Sequence, residues 1–334
     1  MKPSSGEDTP NRNEDQTRLG EFDMIRRFFA PLAAEMEGAF SLTDDAGRLP
    51  DVRDGWERVV TSDCLIAGVH FPLDAQPGEI ASKAMGTNLS DLAAMGARPV
   101  AYTLALALPK TIHDRTAFLQ GLTDQLKRDQ KGSGIALLGG DTVLTPGPCA
   151  ITITAFGDVP KGTMLRRSGA KPGDQLYVSG TIGDGALGLL AAEGHLRDAD
   201  PETEDELLRR YHAPTARLAL GEALRGRASA ALDISDGLMA DCGHLAKASG
   251  VQLVIDPGLV PLSGPARRVI EKDRHLFDLV LTGGDDYELA FTSPEHLPSE
   301  LGNTRISRIG EALAGEGVRL TSGTEPSRAG YSHF

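Results

Sequence analysis

The sequence predicts a layered α/β protein of two domains. Three observations carry that expectation: apolar strand-like runs alternate with amphipathic helical stretches, no period-2 hairpins join them, and 334 residues are enough for two ordinary cores. Several apolar runs open directly into acidic residues set among glycines or hydroxyls. Carboxylates are thereby expected where strands end, which is where open α/β sheets gather their ligands.

The chain begins with a polar stretch, residues 1–18, that lacks the apolar core of a signal peptide and reads as a disordered tail. The first helix is expected over Gly20–Phe29, with Phe22, Ile25 and Phe29 on one buried face and Pro31 beyond its end. Asp44 and Asp45 follow in a turn-like setting. Arg58–Asp63 reads as a strand whose end carries Thr61, Ser62 and Asp63, and it leads to His70 in a loop marked by Gly68 and Pro72. Ile80–Met95 is helical and closed by Gly96, with Asn88, Ser90 and Asp91 interrupting small apolar residues. An inward-facing aspartate on such a helix is costly unless it is paired or holds a metal.

Val100–Leu108 is a strand, Asp114–Asp129 a helix, and Ile135–Leu138 a short strand running into Gly139, Gly140, Asp141 and Thr142. The glycines there let backbone approach a ligand, with Asp141 leaving the strand end. Ala150–Phe156 is a strand, and the first domain, 19–160, is expected to close near Pro160. The second, 161–334, starts with a basic loop containing Arg166 and Arg167, a candidate for phosphate oxygens. After the strand Gln175–Ser179, Gly183–Gly188 matches GxGxxG, although the acidic residue expected on a second strand about 20 positions later is missing.

Asp205–His212 and Thr215–Leu224 are helical. The most informative stretch comes next: an apolar run ending at Leu232 opens into Asp233, Ile234, Ser235, Asp236 and Gly237, and Leu238 starts a helix. Two close aspartates remain ionised together only beside cations, and oxygen ligands of this type suit Mg2+ carried by phosphates. Val251–Ile255 is a strand and Pro265–Lys272 a helix. Leu279–Thr282 then reads as a strand opening into Gly283, Gly284, Asp285 and Asp286, a second instance of the Gly-Gly-Asp plan.

The formal net charge of −13 argues against a nucleic-acid partner and fits a chain that spends carboxylates on metal ions. Cys64, Cys149 and Cys242 are far apart and lack disulfide-framework or zinc spacing, so a reducing compartment, the cytoplasm, is the natural setting. No apolar run approaches the roughly 20 residues of a membrane span. Neither a GxxxxGK[ST] loop nor a His-Arg-Asp kinase loop is present, so nucleotide phosphates would be handled through carboxylate-held Mg2+.

Taken together, Gly20-Glu21-Phe22, Asp44-Asp45-Ala46, Thr61-Ser62-Asp63, Gly68-Val69-His70-Phe71, Asn88 to Gly96, Gly139 to Thr142, Arg167-Ser168-Gly169-Ala170, Asp233 to Leu238, Gly284 to Glu288 and Gly330-Tyr331 resemble the thiamine-monophosphate kinase family, in order along the chain. The resemblance implies an α+β fold of the AIR-synthetase-like (PurM-like) superfamily, with an N-terminal domain that dimerises and a C-terminal α/β domain. It implies transfer of the γ-phosphate of ATP to thiamine phosphate in a homodimer with several Mg2+ ions. By position, Asp44, Thr61, Ser62, Asp63, Asp91, Asp141, Asp233 and Asp236 would hold the ions, and Asp91, Asp141 and Asp233 would be catalytic. Gly140, Asp141, Arg167 and Ser235 would contact ATP, and His70, Asp285 and Tyr331 thiamine phosphate. Two departures stand out: Ser41 and Thr43 replace glycines that commonly precede the first Asp-Asp pair, and Asp285 replaces a common glutamate. The alternatives are another ATP-dependent enzyme of the superfamily and an NAD-linked oxidoreductase using Gly183–Gly188.

Overall fold

The computed structural model describes residues 20–196, 199–323 and 330. The expected tail over 1–18 and Tyr331 lie outside them. The first part of the chain forms α1 (Glu21–Met24), continued by a π-turn over Ile25–Phe29 and a 3-10 turn over Ala30–Ala33, then β1 (Trp56–Ile66), α2 (Pro77–Ala94), β2 (Arg98–Pro109), α3 (Arg115–Ser133), β3 (Ala136–Thr145) and β4 (Ala150–Pro160). The four strands make one sheet in the order β1-β4-β2-β3, antiparallel except for the β2–β3 pair.

Among the described residues, one face of this sheet is packed and the other is not. Leu104, Leu106, Leu108, Ile151, Ile153 and Leu65 alternate with more exposed residues and are buried in a core shared with α2 and α3. On the opposite face Val60 and Val143 are 62% and 50% exposed, and Ser62, Cys64 and Ala105 are exposed beside them. An antiparallel sheet with one bare apolar face has an unpartnered surface.

The second part forms β5 (Gln175–Ser179), α4 (Asp184–Ala192), α5 (Pro201–His212), α6 (Leu218–Leu224), β6 (Ala230–Asp233), α7 (Leu238–Ser249), β7 (Gln252–Ile255), α8 (Gly264–Lys272), α9 (Leu276–Thr282), β8 (Leu289–Ser293), β9 (Glu300–Leu301), β10 (Thr304–Leu313) and β11 (Gly317–Leu320). Its mixed sheet runs β11-β7-β10-β5-β8-β6, with β9 beside β10. The core here is separate, built on Leu176, Val178, Leu232, Leu245, Leu253 and Ile309.

α2 joins the two parts. It starts well because Gln76 and Glu79 form reciprocal side-chain to backbone caps and Pro77 occupies the first turn. Its small residues, Ala81, Ala84 and Ala93, let it lie close to both neighbours: β1 and β4 on one side, α6 and β6 on the other. A helix buried nearly all round brings its polar residues inside with it, so Asn88 and Ser90 are both fully buried.

Several local expectations change. Leu279–Thr282 is helix, the end of α9, because β8 starts only after the acidic loop, at Leu289. The second Gly-Gly-Asp therefore follows a helix. Gly139–Thr142 lies inside β3 and not past its end, and Gly140 is required by the neighbouring strand: a Cβ there would sit 2.0 Å from the Leu104 carbonyl oxygen. The first helix breaks up after Met24, and Phe22 is 77% exposed while Phe28 and Phe29 are buried.

Candidate active site

The carboxylates gather in two places. At the first, β1, α2 and the end of β6 meet. Thr61 and Asp63 project from the helix-covered side of β1, Asp91 comes from α2, and Asp233 ends β6, 6% exposed. The Thr61 hydroxyl donates to Oδ2 of Asp91, and Ser90 Oγ donates to Oδ2 of Asp233 at 2.8 Å. Burial and the charge of Asp91 push the Asp63 carboxyl up to about 6, against a lesser opposing effect of Thr87. Burial and Asp91 push Asp233 up to about 8. Asp91 is raised by burial, partly relieved by Thr61 and by the Arg167 guanidinium. A buried set of acids that raise one another lacks positive charge.

Behind β6, Asp241 Oδ2 accepts the backbone N–H groups of Ser235, Asp236 and Gly237 at 3.1, 2.9 and 3.0 Å. It fixes the turn that presents Ser235 and Asp236, and burial with the Asp236 charge lifts its own carboxyl to about 7. Single ligand atoms of Asp236, Asp241 and the exposed His244 lie within 4.8 Å of one another. The loop 284–288 crosses the same turn, with Asp285 N–H donating to Ser235 O and Tyr287 N–H to Ile234 O. Gly284 is forced by that crossing, since a Cβ would meet the Ser235 carbonyl oxygen at 2.0 Å.

His70 and Asp285 flank this locus. The Ile66 N–H donates to Nδ1 of His70 at 3.0 Å, which leaves the proton of the neutral ring on Nε2. The side chain of Asp285 is 26% exposed, with Lys83 Nζ 3.1 Å from Oδ1 and the Tyr287 hydroxyl donating to the same oxygen at 3.2 Å. Nothing local marked Lys83 in the sequence, beyond a lysine standing between the small residues Ala81 and Ala84.

The second place is a cavity of about 540 Å³ at the β3 edge, lined by Asp44, Asp45, Gly140 and Asp141 on one side and Phe22, Ile25 and Phe29 on the other. Asp141 belongs to the bare face, in one row with Ala105, Thr152 and Cys64. Register runs Asp63 to Ile153 to Leu104 to Gly140, three strand spacings, so Asp141 stands about 14 Å from Asp63 along the sheet. Ser62 also turns to the bare face, where its hydroxyl pairs with Thr154 at 2.8 Å. Within one chain, then, Thr61, Asp63, Asp91 and Asp233 are near neighbours, Asp236 stands beside Asp241 on the turn that follows, and Asp44, Asp141 and Ser62 face elsewhere. Adjacent residues of a strand point to opposite faces, which is what separates Ser62 from Thr61 and Asp63 on β1.

The glycine-rich loop that suggested a dinucleotide is already satisfied from within. The N–H groups of Gly183 and Gly185 donate to the buried Asp286 at 2.7 and 3.0 Å, and α4 is followed by α5 where the fingerprint needs a strand.

Comparison with known proteins agrees along the length of the chain. The family model described as AIR synthase related protein, N-terminal domain, matches residues 43–159, and its C-terminal counterpart matches 171–322. The thiamine-monophosphate kinase of Caulobacter vibrioides is 41% identical, over 94% of this chain and 90% of that protein. The crystal structure of thiamine-monophosphate kinase from Stenotrophomonas maltophilia superposes with a TM-score of 0.81 at 39% identity, covering 92% of this chain and 98% of that one. The solved structure of AaThiL complexed with AMPPCP and TMP gives 0.77 at 31%, covering 96% and 100%.

Proposed function

This chain belongs to the thiamine-monophosphate kinase family, and on that premise we propose how its residues perform the reaction. The chain transfers the γ-phosphate of ATP to thiamine phosphate, giving thiamine diphosphate and ADP. The observation that carries the mechanism is the meeting of Asp63, Asp91 and Asp233, from three distant segments, with carboxyls raised by burial and all but unrelieved by cations.

That donor set fits Mg2+: all ligands are hard oxygens, the acids are too close to be ionised unaided, and Thr61 adds a hydroxyl. Bound there, Mg2+ supplies charge neutralisation between two polyanions. Asp63, Asp91, Asp233 and Asp236 with Thr61 would hold ions at the first locus, and Asp44 with Asp141 at the second. Ser62 joins them only from the bare face. Asp91, at the centre of the first group, is the residue whose loss affects most of it, and Asp233 and Asp141 complete the catalytic set.

The acceptor needs no general base. A phosphate monoester has a second pKa near 6, so at pH 7 it is mostly dianionic and nucleophilic. The work left to the chain is positioning and charge. Arg167, whose charge acts on both Asp91 and Asp241, and Ser235 on the turn held by Asp241 would hold the triphosphate. Gly140 backs the cavity at β3. His70 and Asp285 would receive thiamine phosphate on the far side, with Tyr331 from beyond the described residues.

The separation of the loci, roughly 14 Å by three strand spacings, also supports a homodimer through the bare sheet face. One Mg2+ spans ligands at about 2.0–2.1 Å and cannot bridge that gap. We infer that a second copy seated on the face of Val60, Cys64 and Val143 would bring its own Asp44 and Asp141 locus toward the first copy's aspartates, so that each site would draw on both chains. Acidic charge and the absence of any described helix long and apolar enough to cross a membrane fit small-molecule substrates and a cytoplasmic setting. Incubation with Mg-ATP and thiamine phosphate should yield thiamine diphosphate and ADP in equal amounts. ATP hydrolysis without thiamine diphosphate would overturn the assignment.

A further inference from the structure

We propose that Lys83 is a positioning residue for substrate recognition: its buried ammonium orients the Asp285 carboxylate toward thiamine phosphate and ties it to the His70 loop. This rests on the reading that Asp285 and His70 receive that substrate. Lys83 is 1% exposed, on α2, and its Nζ sits 3.4 Å over the centre of the Tyr211 ring and 3.1 Å from Asp285 Oδ1. The contact with Asp285 lies off hydrogen-bond direction, so it acts through charge, and the ammonium has no other polar partner among the described residues. Tyr211 in turn donates its hydroxyl to the carbonyl oxygen of His70 at 3.2 Å. One cation therefore connects, through one ring, the two groups assigned to the same ligand.

The geometry at Asp285 defines what is oriented. Backbone bonds to Ile234 and Ser235 fix loop 284–288, and Asp285 itself adopts φ +68°. The remaining freedom is in its side chain. Lys83 and the Tyr287 hydroxyl both meet Oδ1, and with the side chain 26% exposed Oδ2 is the oxygen left to meet a ligand. Thiamine offers an aminopyrimidine N–H donor and a thiazolium cation, the chemistry a held carboxylate oxygen recognises. A buried ammonium costs more than a hydrocarbon of equal size, so a methionine would pack here more cheaply were packing the only role. The same clamp suits the aspartate at 285, whose shorter side chain needs a partner that reaches across from α2.

The test compares steady-state constants for Lys83→Met, Lys83→Arg, Tyr287→Phe and Asp285→Asn in the full-length protein. With Lys83→Met the KM for thiamine phosphate should rise about 10- to 100-fold, the range for losing a contact to a charged group, with the KM for ATP within about twofold and kcat within about threefold. Lys83→Arg keeps the charge and should recover most of the loss. Tyr287→Phe, which removes the other contact to Oδ1, should raise the same KM, and it decides the question if Lys83→Met does not fold. Lys83→Met and Asp285→Asn combined should be no worse than the poorer single variant. Equal losses for both substrates, or additive losses in the double variant, would overturn the role of Lys83. An unchanged KM in Asp285→Asn would instead remove the reading of Asp285 on which it rests.

Discussion

Ser90 on α2 donates its hydroxyl to Asp233 at the end of β6, across 143 residues and at 2.8 Å. That bond fastens the helix of the first sheet to the acidic turn of the second. It also leaves Asp233 with a neutral donor against the charge of Asp91, too little to keep it ionised unaided. The arrangement is poised for cations, and its consequences are measurable.

Asp91→Asn and Asp233→Asn should each lower kcat by about 1,000-fold or more, as expected for groups that place charge against the transferring phosphate. Both should fold. Without Mg2+ they should melt no lower than the parent chain, since the substitution removes repulsion among buried acids. Calorimetry in EDTA beside a coupled ADP assay reads both effects, and near-parental turnover would exclude these aspartates as ion ligands.

Mg2+ alone should stabilise the parent chain. Saturation to 100 times the dissociation constant contributes about 2.7 kcal/mol, a rise of roughly 4 °C for a chain of this size. The shift should shrink by more than half in Asp233→Asn. An equal shift in both proteins would place the ions elsewhere.

Asp141→Asn and Asp233→Asn should complement one another. If each site takes its two loci from different chains, mixing the inactive variants after partial unfolding gives heterodimers with one intact site. About a quarter of parental activity should return, from half the dimers carrying half their sites. Val60→Glu, which places charge on the bare sheet face, should give monomers on sedimentation and abolish the rescue. A mixture that stays inactive while heterodimers form would confine the site to one chain.

Ser41→Gly should stabilise the chain. Phe40, Ser41 and Leu42 adopt φ values of 49°, 56° and 58° in succession, which L-residues resist by about 1–2 kcal/mol each. Denaturant unfolding should show a gain of about 1 kcal/mol, and no gain would mean that the serine side chain compensates for the strain.

Stability should also fall between pH 4 and 6.5 through Asp129. Burial raises its carboxyl to about 6, opposed in part by Gln125 and Arg128, from about 3.9 in an unfolded chain. The folded state binds the extra proton in that window, so the contribution is complete below pH 4 and lost as pH rises through 6. Because the group is partly solvated, about 2 kcal/mol is the upper bound. Asp129→Asn should flatten this part of the profile, and parallel profiles would show that the carboxyl titrates normally.

What the sequence carried by itself was local and cumulative. Strands over 58–63, 100–108, 150–156 and 175–179 and the helix over 80–95 were legible because periodicity and caps are written in neighbouring residues. The order of short acidic motifs was enough to indicate the family. Contiguous sequence misled where distant backbone made the decision: Gly140 answers to the Leu104 carbonyl, and the helix of Leu276–Thr282 has an apolar run that equally describes a strand. Only the tertiary structure decided which aspartates meet. Side chains on adjacent residues of β1 part to opposite faces, so Asp63 joins Asp91 and Asp233 while Ser62 turns away. It alone placed the buried cation of Lys83 between Tyr211 and Asp285, because α2 is enclosed on both sides and the partners of an enclosed helix come from every part of the chain.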